Sequence, residues 1–330
     1  AGLQKSFNGD YAAAVSSTED GRNVLVQVYS DRNPGQIYLF DSEAKRLTPF
    51  IDRASWLDRN RLATVRPVRF KTRDGIEIEA LLTVPAGSDG KNLPMIVNPH
   101  GGPFGVQDLW GFNPEPQILA AHGYAVLQVN FRGSGGYGKA FRELGRKQWG
   151  FTMQDDLTDA TQWAIREGIA ASDRICIYGA SYGGYASLMG VAKEPTLYRC
   201  AVGYVGVYDL DMLWTMGDIP GSAYGKDFLS THVGKDNLDA GSPNKQVARI
   251  QVPVFLAAGG ADERAPIEQS KLMERALKAA GKPVETLYYD TEGHGFVKRE
   301  HQVAFYMQLL NFFQRHIGGR APVAPPVATK

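Results

Sequence analysis

The stretch GASYGG, residues 179–184, decides the fold of this chain. It follows an apolar run of strand length at 174–178 and precedes helical spacing at 182–192. A serine at the centre of such a junction sits on a sharp, strained turn, and the flanking glycines leave no side chain to clash. The turn lifts the Ser181 hydroxyl clear of the sheet and aims a helix N-terminus at developing negative charge. We therefore interpret Ser181 as a nucleophile.

The sequence around this stretch predicts an α/β fold, because strand-length apolar runs alternate with helical spacing. Predicted strands lie at 76–85, 94–98, 124–131, 174–178, 200–205, 252–258 and 284–289, and predicted helices at 155–165, 182–192, 265–279 and 297–317. Such alternation is typical of a doubly wound, mostly parallel sheet. Combined with the G-x-S-x-G turn, it predicts an α/β-hydrolase fold over residues 66–318.

The first 65 residues have a different pattern. Short β-rich runs at 23–29 and 36–40 are separated by a turn cluster, and Leu47 and 55–62 suggest two more strands. Four strands of this size amount to one propeller blade, which cannot bury its faces alone. We predict that residues 1–65 form an add-on sheet, or the last blade and linker of a propeller that is otherwise absent from this chain. The proline-rich end, 319–330, is predicted to be a disordered tail.

Bulk composition argues against several classes of function. Hydrophobic residues make up 43% and charged residues 22% of the chain, which is typical of globular proteins. The net charge is +1, so no long-range field favours nucleic acid or an anionic membrane. No apolar stretch approaches the roughly 18–20 residues that span a bilayer. The chain does not begin with Met, so an upstream targeting signal is compatible with it, and cytoplasmic and periplasmic locations both stay open.

The two cysteines, Cys176 and Cys200, each lie in an apolar run of strand length. A cysteine in that setting is typically a buried thiol. A disulfide would require the two strands to be neighbours with matching Cβ positions, so we expect free thiols.

A serine hydroxyl needs a base, and His294 fits the required chain order of serine, acid and histidine. It lies between two glycines, directly after the predicted strand at 284–289, so it can project into a site at the strand's end. Three other histidines follow Ser181 in a polar loop or the last helix, where a packed or solvated role is expected: His232, His301 and His316.

Asp262 is the predicted acid, because it follows the buried strand at 252–258 and precedes His294. A carboxylate there would accept the Nδ1–H of the histidine, fix its tautomer and stabilise the imidazolium. Three further acidic residues stay open as alternatives: Glu263, Asp209 and Asp211. Asp262 could also serve as a helix N-cap.

Backbone donors for an oxyanion are predicted at Gly102 and Tyr182. The sequence HGGP, residues 100–103, follows the strand at 94–98 and matches the H-G-G pattern from which one N–H is supplied. Tyr182 directly follows the nucleophile and would supply the second N–H.

An insert at 207–250 would lie over the carboxyl edge of the sheet, where ligands bind in such folds. Its large apolar and aromatic residues include Tyr208, Trp214, Met216, Tyr224 and Phe228, of which Tyr208 and Trp214 are the first candidates. They are predicted either to line an apolar pocket for the acyl-side residue of a substrate or only to pack the insert down.

These motifs resemble the prolyl oligopeptidase family of serine peptidases, in particular its acylaminoacyl-peptidase-like and dipeptidyl-peptidase-like members. The residues that carry the resemblance are HGGPFG (100–105), NFRGSGGYGKAF (130–141), Trp149-Gly150, GASYGGY (179–185), Ser242-Pro243, GGADERAP (259–266), KPVETLYY (282–289) and GHGF (293–296). The family implies a catalytic α/β-hydrolase domain and an N-terminal propeller that restricts access to short peptides. By motif position, the resemblance assigns the catalytic triad to Ser181, Asp262 and His294. It assigns the oxyanion hole to Gly102 and Tyr182.

The resemblance implies a peptide substrate and an acyl-enzyme, with no cofactor and no metal. This chain departs from common family residues at Ala258, where His is frequent, and at Ala265, where Val is frequent. Neither position carries a catalytic group. A carboxylesterase with the same triad and a non-catalytic binding module are the alternative functions. Exopeptidase, acylpeptidase and endopeptidase modes stay open, as does a homo-oligomer.

Overall fold

The computed structural model describes residues 5–7 and 9–323. Two β-sheets form the framework of this part of the chain. The first sheet is antiparallel, with its four strands side by side in chain order. Its strands are β1 (Tyr11–Ser17), β2 (Asn23–Ser30), β3 (Asn33–Asp41) and β4 (Arg46–Asp52). A small antiparallel sheet of this kind resembles one propeller blade, as the sequence predicts.

The second sheet has eight strands and carries the rest of the fold. They are β5 (Thr64–Lys71), β6 (Glu77–Val84), β7 (Leu93–Val97), β8 (Ala125–Asn130), β9 (Ala170–Ala180), β10 (Cys200–Tyr204), β11 (Val254–Gly259) and β12 (Val284–Tyr289). Their order is β12-β11-β10-β9-β7-β8-β6-β5, parallel from β12 to β8, with β6 and β5 antiparallel at one edge. The predicted mostly parallel α/β-hydrolase sheet is confirmed.

Several helices accompany this sheet, and the longer ones pack on its two faces. They are α1 (Pro114–Ala121), α2 (Gly138–Glu143), α3 (Thr152–Arg166), α4 (Tyr182–Lys193), α5 (Ala223–Phe228), α6 (Leu238–Gly241), α7 (Ile267–Ala279) and α8 (Arg299–Ile317). Alternate residues of β9 face opposite cores: Ile177 joins the apolar cluster of α3, α4 and α7, and Cys176 joins that of α1 and α8. Among the described residues, no helix combines the length and apolarity needed to cross a membrane.

The N-terminal sheet differs in detail from its prediction. The sequence predicts no strand at β1, because YAAAVSS is poor in the β-branched and aromatic residues that favour strands. The strand predicted at 55–62 is wrong. That segment contains a short 3₁₀ helix, Arg59–Arg61, started by the Asp58 side chain, which accepts the N–H of Asn60. The boundaries at 65 and 318 stay predictions, and residues 324–330 of the predicted tail lie outside the described residues.

Cys176 and Cys200 form a disulfide, so the expectation of free thiols is wrong. Strands β9 and β10 are neighbours, and Cys200 lies directly opposite Cys176, with Cα atoms 4.8 Å apart. Residues in register on adjacent strands point to the same face, which meets the requirement for a bridge. Strand order decides the pairing, and the local sequence does not contain strand order.

We expect the variant Cys176→Ala/Cys200→Ala to lose about 3 kcal/mol of unfolding free energy, because the bridge closes a loop with a sequence separation of 24. Urea unfolding of the variant and of air-oxidised wild-type protein measures the difference. Thiol titration of unreduced wild-type protein in denaturant is the control. Two titratable thiols there would contradict the bridge.

Candidate active site

Ser181 occupies a strained turn between β9 and α4. Its backbone has φ 59° and ψ −122°, a conformation that residues with side chains rarely adopt. The neighbouring glycines are required by packing. A Cβ on Gly179 would lie 2.6 Å from the carbonyl oxygen of Pro99, and one on Gly183 would lie closer still. The turn therefore presents the serine hydroxyl at the carboxyl end of a central strand.

Three loops at this edge bring Ser181, His294 and Asp262 together. His294 Nε2 lies 2.9 Å from Ser181 Oγ, and His294 Nδ1 lies 2.8 and 3.1 Å from the two carboxylate oxygens of Asp262. The Asp262 side chain is fully buried, whereas that of His294 is 34% exposed. The hydrogen-bonded chain thus runs from the interior to a solvent-accessible hydroxyl, in the order that proton transfer from serine to imidazole needs.

Asp262 is not the helix N-cap that the sequence left open, because α7 begins at Ile267 after Pro266, but its carboxylate does bind the turn before that helix. Its Oδ1 accepts the backbone N–H groups of residues 264–265, each at 2.9 Å, while the carboxylate bonds His294. The carboxylate therefore bonds this turn and His294 at the same time, and the turn holds the carboxylate in place. The alternative acid Asp209 is engaged elsewhere, since its carboxylate accepts from Asn244 at 2.8 Å.

Two of the remaining histidines have other partners. The His232 ring stacks on Phe104, with ring centroids 4.2 Å apart. His301 Nδ1 lies 2.6 Å from the Glu292 carboxylate. Both contacts fit the packed roles expected for these residues.

Gly102 and Tyr182 line the same cavity as Ser181 and His294. Tyr182 is the first residue of α4, where a backbone N–H has no partner within the helix. Gly102 follows Gly101, whose added Cβ would lie 3.4 Å from the Ser181 Cβ, so this loop runs directly beside the serine. The two predicted donors thus belong to the two backbone segments that flank the hydroxyl.

His100 holds the Gly101–Gly102 peptide in place, a contact that the sequence reasoning missed. His100 Nδ1 lies 2.7 Å from the carbonyl oxygen of Gly101, and Nε2 lies 2.8 Å from the Ser134 hydroxyl. Burial lowers the pKa of His100 to about 4, so near neutral pH the ring carries one N–H. A carbonyl oxygen only accepts, so that N–H is on Nδ1.

The consequence concerns the direction of the Gly102 N–H. In a trans peptide the carbonyl of one residue and the N–H of the next point in opposite directions. Holding the Gly101 carbonyl therefore aims the Gly102 N–H. The HGGP motif contains His100, but the motif itself indicates only a backbone donor, so it predicts no role for the imidazole.

A cavity of about 660 Å³ opens beside the serine. Its apolar wall comes from these side chains: Trp149, Tyr182, Val207, Leu213, Ile219 and Phe228. Asp218 and Arg264 add an ion pair, with nitrogen–oxygen distances of 2.7 to 3.0 Å. This hydrogen bonding to Arg264 holds the pKa of the Asp218 carboxyl below its ordinary value. The cavity accepts an apolar group and has one charged border.

The two aromatic residues predicted for this pocket need correction. Tyr208 is fully buried in the core, where its hydroxyl packs against Gly203 and Gly206 so closely that neither could carry a Cβ. Trp214 lies under the Lys235 ammonium, 4.6 Å from its ring centroid. The insert does reach the cavity, through its aromatic residues Tyr224 and Phe228 and through Leu213 and Ile219. On an irregular insert, no periodicity indicates which side chains point inward.

The sequence profile of the prolyl oligopeptidase family matches residues 110–320, more than half of the chain. The chain belongs to the prolyl oligopeptidase family. Dipeptidyl aminopeptidase BIII of Pseudoxanthomonas mexicana is 34% identical over 321 residues, which cover 92% of this family member and 46% of that protein. Acylamino-acid-releasing enzyme of Mus musculus is 30% identical over 252 residues, which cover 74% of this chain and 34% of that enzyme.

A solved structure of a Mycobacterium tuberculosis puromycin-hydrolyzing peptidase is also similar to this prolyl oligopeptidase family chain. The TM-score is 0.82 at 26% sequence identity, over 93% of this chain and 48% of that one. The chain therefore spans about half the length, or less, of these relatives. The predicted family and its fold are confirmed.

We expect a fluorophosphonate probe to label this family member at Ser181, because the hydrogen bond to His294 prepares the hydroxyl to attack. Intact-protein mass spectrometry and peptide mapping measure the adduct. Ser222→Ala is the matched control, since Ser222 lines the same cavity and should leave labelling unchanged. Labelling that survives Ser181→Ala would contradict the assignment.

Proposed function

We propose that this chain carries the catalytic centre of a serine peptidase that hydrolyses short peptides through an acyl-enzyme. The observation that carries the proposal is the hydrogen-bonded chain from Ser181 through His294 to the buried Asp262. Family membership supports a peptide bond as the target, because the relatives named above are an aminopeptidase and an acylamino-acid-releasing enzyme.

In the first half of the reaction, Ser181 Oγ attacks the carbonyl carbon of the peptide while its proton passes to His294 Nε2. Asp262 stabilises the imidazolium that forms. The N–H groups of Gly102 and Tyr182 donate to the developing oxyanion. The imidazolium then protonates the leaving amine as the carbon–nitrogen bond breaks, and the acyl group remains on the serine oxygen.

In the second half, a water molecule attacks the acyl-enzyme. His294 accepts a proton from the water and returns it to the serine oxygen as the ester bond breaks. The products are a free carboxylate and the original hydroxyl. Ser181 and His294 thus return to their starting protonation states, and the cycle consumes only water and the peptide.

The apolar cavity beside Ser181 supports a large apolar residue on the acyl side of the cleaved bond. Trp149, Val207 and Phe228 supply apolar surface to its wall. Ala265, which stands where valine is frequent in the family, also borders the cavity and leaves more room than valine would. We therefore propose peptides with a bulky apolar acyl-side residue as substrates.

A carboxylesterase with the same triad is the alternative. Esters are easier to cleave than amides, so ester turnover does not separate the two functions. Cleavage of a peptide or aryl-amide substrate does. A non-catalytic binding module would show neither activity.

We expect Ser181→Ala and His294→Ala each to lower kcat/KM for a peptidyl p-nitroanilide by at least about four orders of magnitude, because each removes a group that acts as a unit with its partner. Circular dichroism controls for folding. Ester cleavage without amide cleavage by wild-type protein would favour the esterase.

We expect His100→Ala to lower kcat about 100-fold with little change in KM, because it releases the peptide that aims one oxyanion donor, worth ~3 kcal/mol. The matched control is His122→Ala, since His122 Nδ1 also contacts a backbone carbonyl, that of Ile118, at 2.8 Å. Steady-state kinetics on the same p-nitroanilide measure both. Equal effects of the two substitutions would argue against the role of His100.

A further inference from the structure

The loop that carries His294 is closed by a buried carboxylate that the mechanism above does not use. The Glu292 side chain is fully buried. Its Oε2 accepts the N–H of Val297 at 2.7 Å, and its Oε1 accepts the N–H of Lys298 at 3.1 Å. Oε1 also lies 2.6 Å from Nδ1 of His301, in the first turn of α8. Three donors thus converge on one carboxylate two residues before the proposed base.

Glu292 also contacts the loop of the acid. Its carbonyl oxygen accepts the N–H of Ala261 at 2.9 Å, and Ala261 directly precedes Asp262. Its side chain meanwhile bonds the chain beyond His294. One residue therefore connects the acid loop, both ends of the histidine loop and the start of the closing helix.

The histidine loop needs such anchors because two glycines flank the base. Gly293 and Gly295 have no Cβ, and Gly295 lies at φ 119°, where residues with side chains are strained. The backbone on either side of His294 is therefore intrinsically permissive. A second anchor lies beyond it, where the Phe296 N–H donates to the Tyr204 hydroxyl. Glu292 is the ionisable anchor of the loop.

We propose that Glu292 is a positioning residue for the general base. Its carboxylate holds both ends of the loop, and this keeps His294 Nε2 at 2.9 Å from Ser181 Oγ and Nδ1 on Asp262. Hydrogen bonds to an ionised acceptor are stronger than neutral ones, which suits a carboxylate that faces three donors. The proposal rests on the proposed function of the same triad.

The test is Glu292→Gln, which keeps the shape of the side chain but replaces one acceptor oxygen with an amide donor facing other donors. We expect kcat for the p-nitroanilide to fall by about tenfold to 100-fold, because small displacements of a catalytic group have effects of this size. KM should stay within about twofold, since Glu292 does not line the substrate cavity. The fluorophosphonate labelling rate should fall with kcat.

The matched control is Glu285→Gln, the same chemical change on neighbouring β12, where Glu285 makes a partly exposed ion pair with Arg315 at 2.5 Å. It should leave kcat unchanged. His301→Phe provides a second variant, because it keeps the ring stacked on Tyr289 but removes one donor. It should lower kcat by a smaller factor than Glu292→Gln.

Several results would overturn the proposal. Unchanged kcat in Glu292→Gln would do so, as would a loss confined to KM or one matched by Glu285→Gln. If Glu292→Gln does not fold by circular dichroism, unchanged kcat in His301→Phe overturns it instead. Failure of the proposed peptidase function is distinguishable, because wild-type protein itself would then show no p-nitroanilide turnover, whereas failure of the positioning proposal leaves wild-type turnover intact.

Discussion

The strained backbone of Ser181 is the constraint on which the rest of the site depends. A residue with a side chain at φ 59° costs about 1–3 kcal/mol, and it persists only where the surroundings enforce it. Here the Ser181 N–H donates to the carbonyl of Tyr204 on β10 at 2.9 Å. On the other side, α4 is buried along nearly its whole length. The turn is thus fixed between a neighbouring strand and a core helix, and the hydroxyl has little freedom to move.

The parallel sheet explains why the other two members of the site meet this hydroxyl. Strands β9, β10, β11 and β12 are consecutive neighbours and run in the same direction, so the loops after them emerge at one edge. Ser181, Asp262 and His294 follow β9, β11 and β12 in that order. The fold therefore brings together residues that lie up to 113 positions apart in the chain. Local hydrogen bonds, from the 264–265 turn to Asp262 and from the chain after His294 to Glu292, then set the final distances.

The parts of this account that the sequence predicts are those with a local signature. The serine turn, the glycine-flanked histidine and the strand–helix alternation are each contained in short stretches, and the structure has them at the predicted positions. The Cys176–Cys200 bridge and part of the cavity wall, such as Trp149 and Val207, were not predicted, because both depend on which distant segments become neighbours. Strand β1 was missed for a different reason, since its alanines and serines have weak strand propensity and pairing with β2 overrides it.

A crystal structure of the protein inactivated by an aryl phosphonate would show whether the site binds a tetrahedral centre, because the phosphonyl group on Ser181 imitates the tetrahedral intermediate. We expect one phosphonyl oxygen at about 2.7–3.1 Å from the backbone nitrogens of both Gly102 and Tyr182, with His294 still bonded to Asp262. An adduct whose oxygens all point into solvent, more than about 4 Å from both nitrogens, would contradict it.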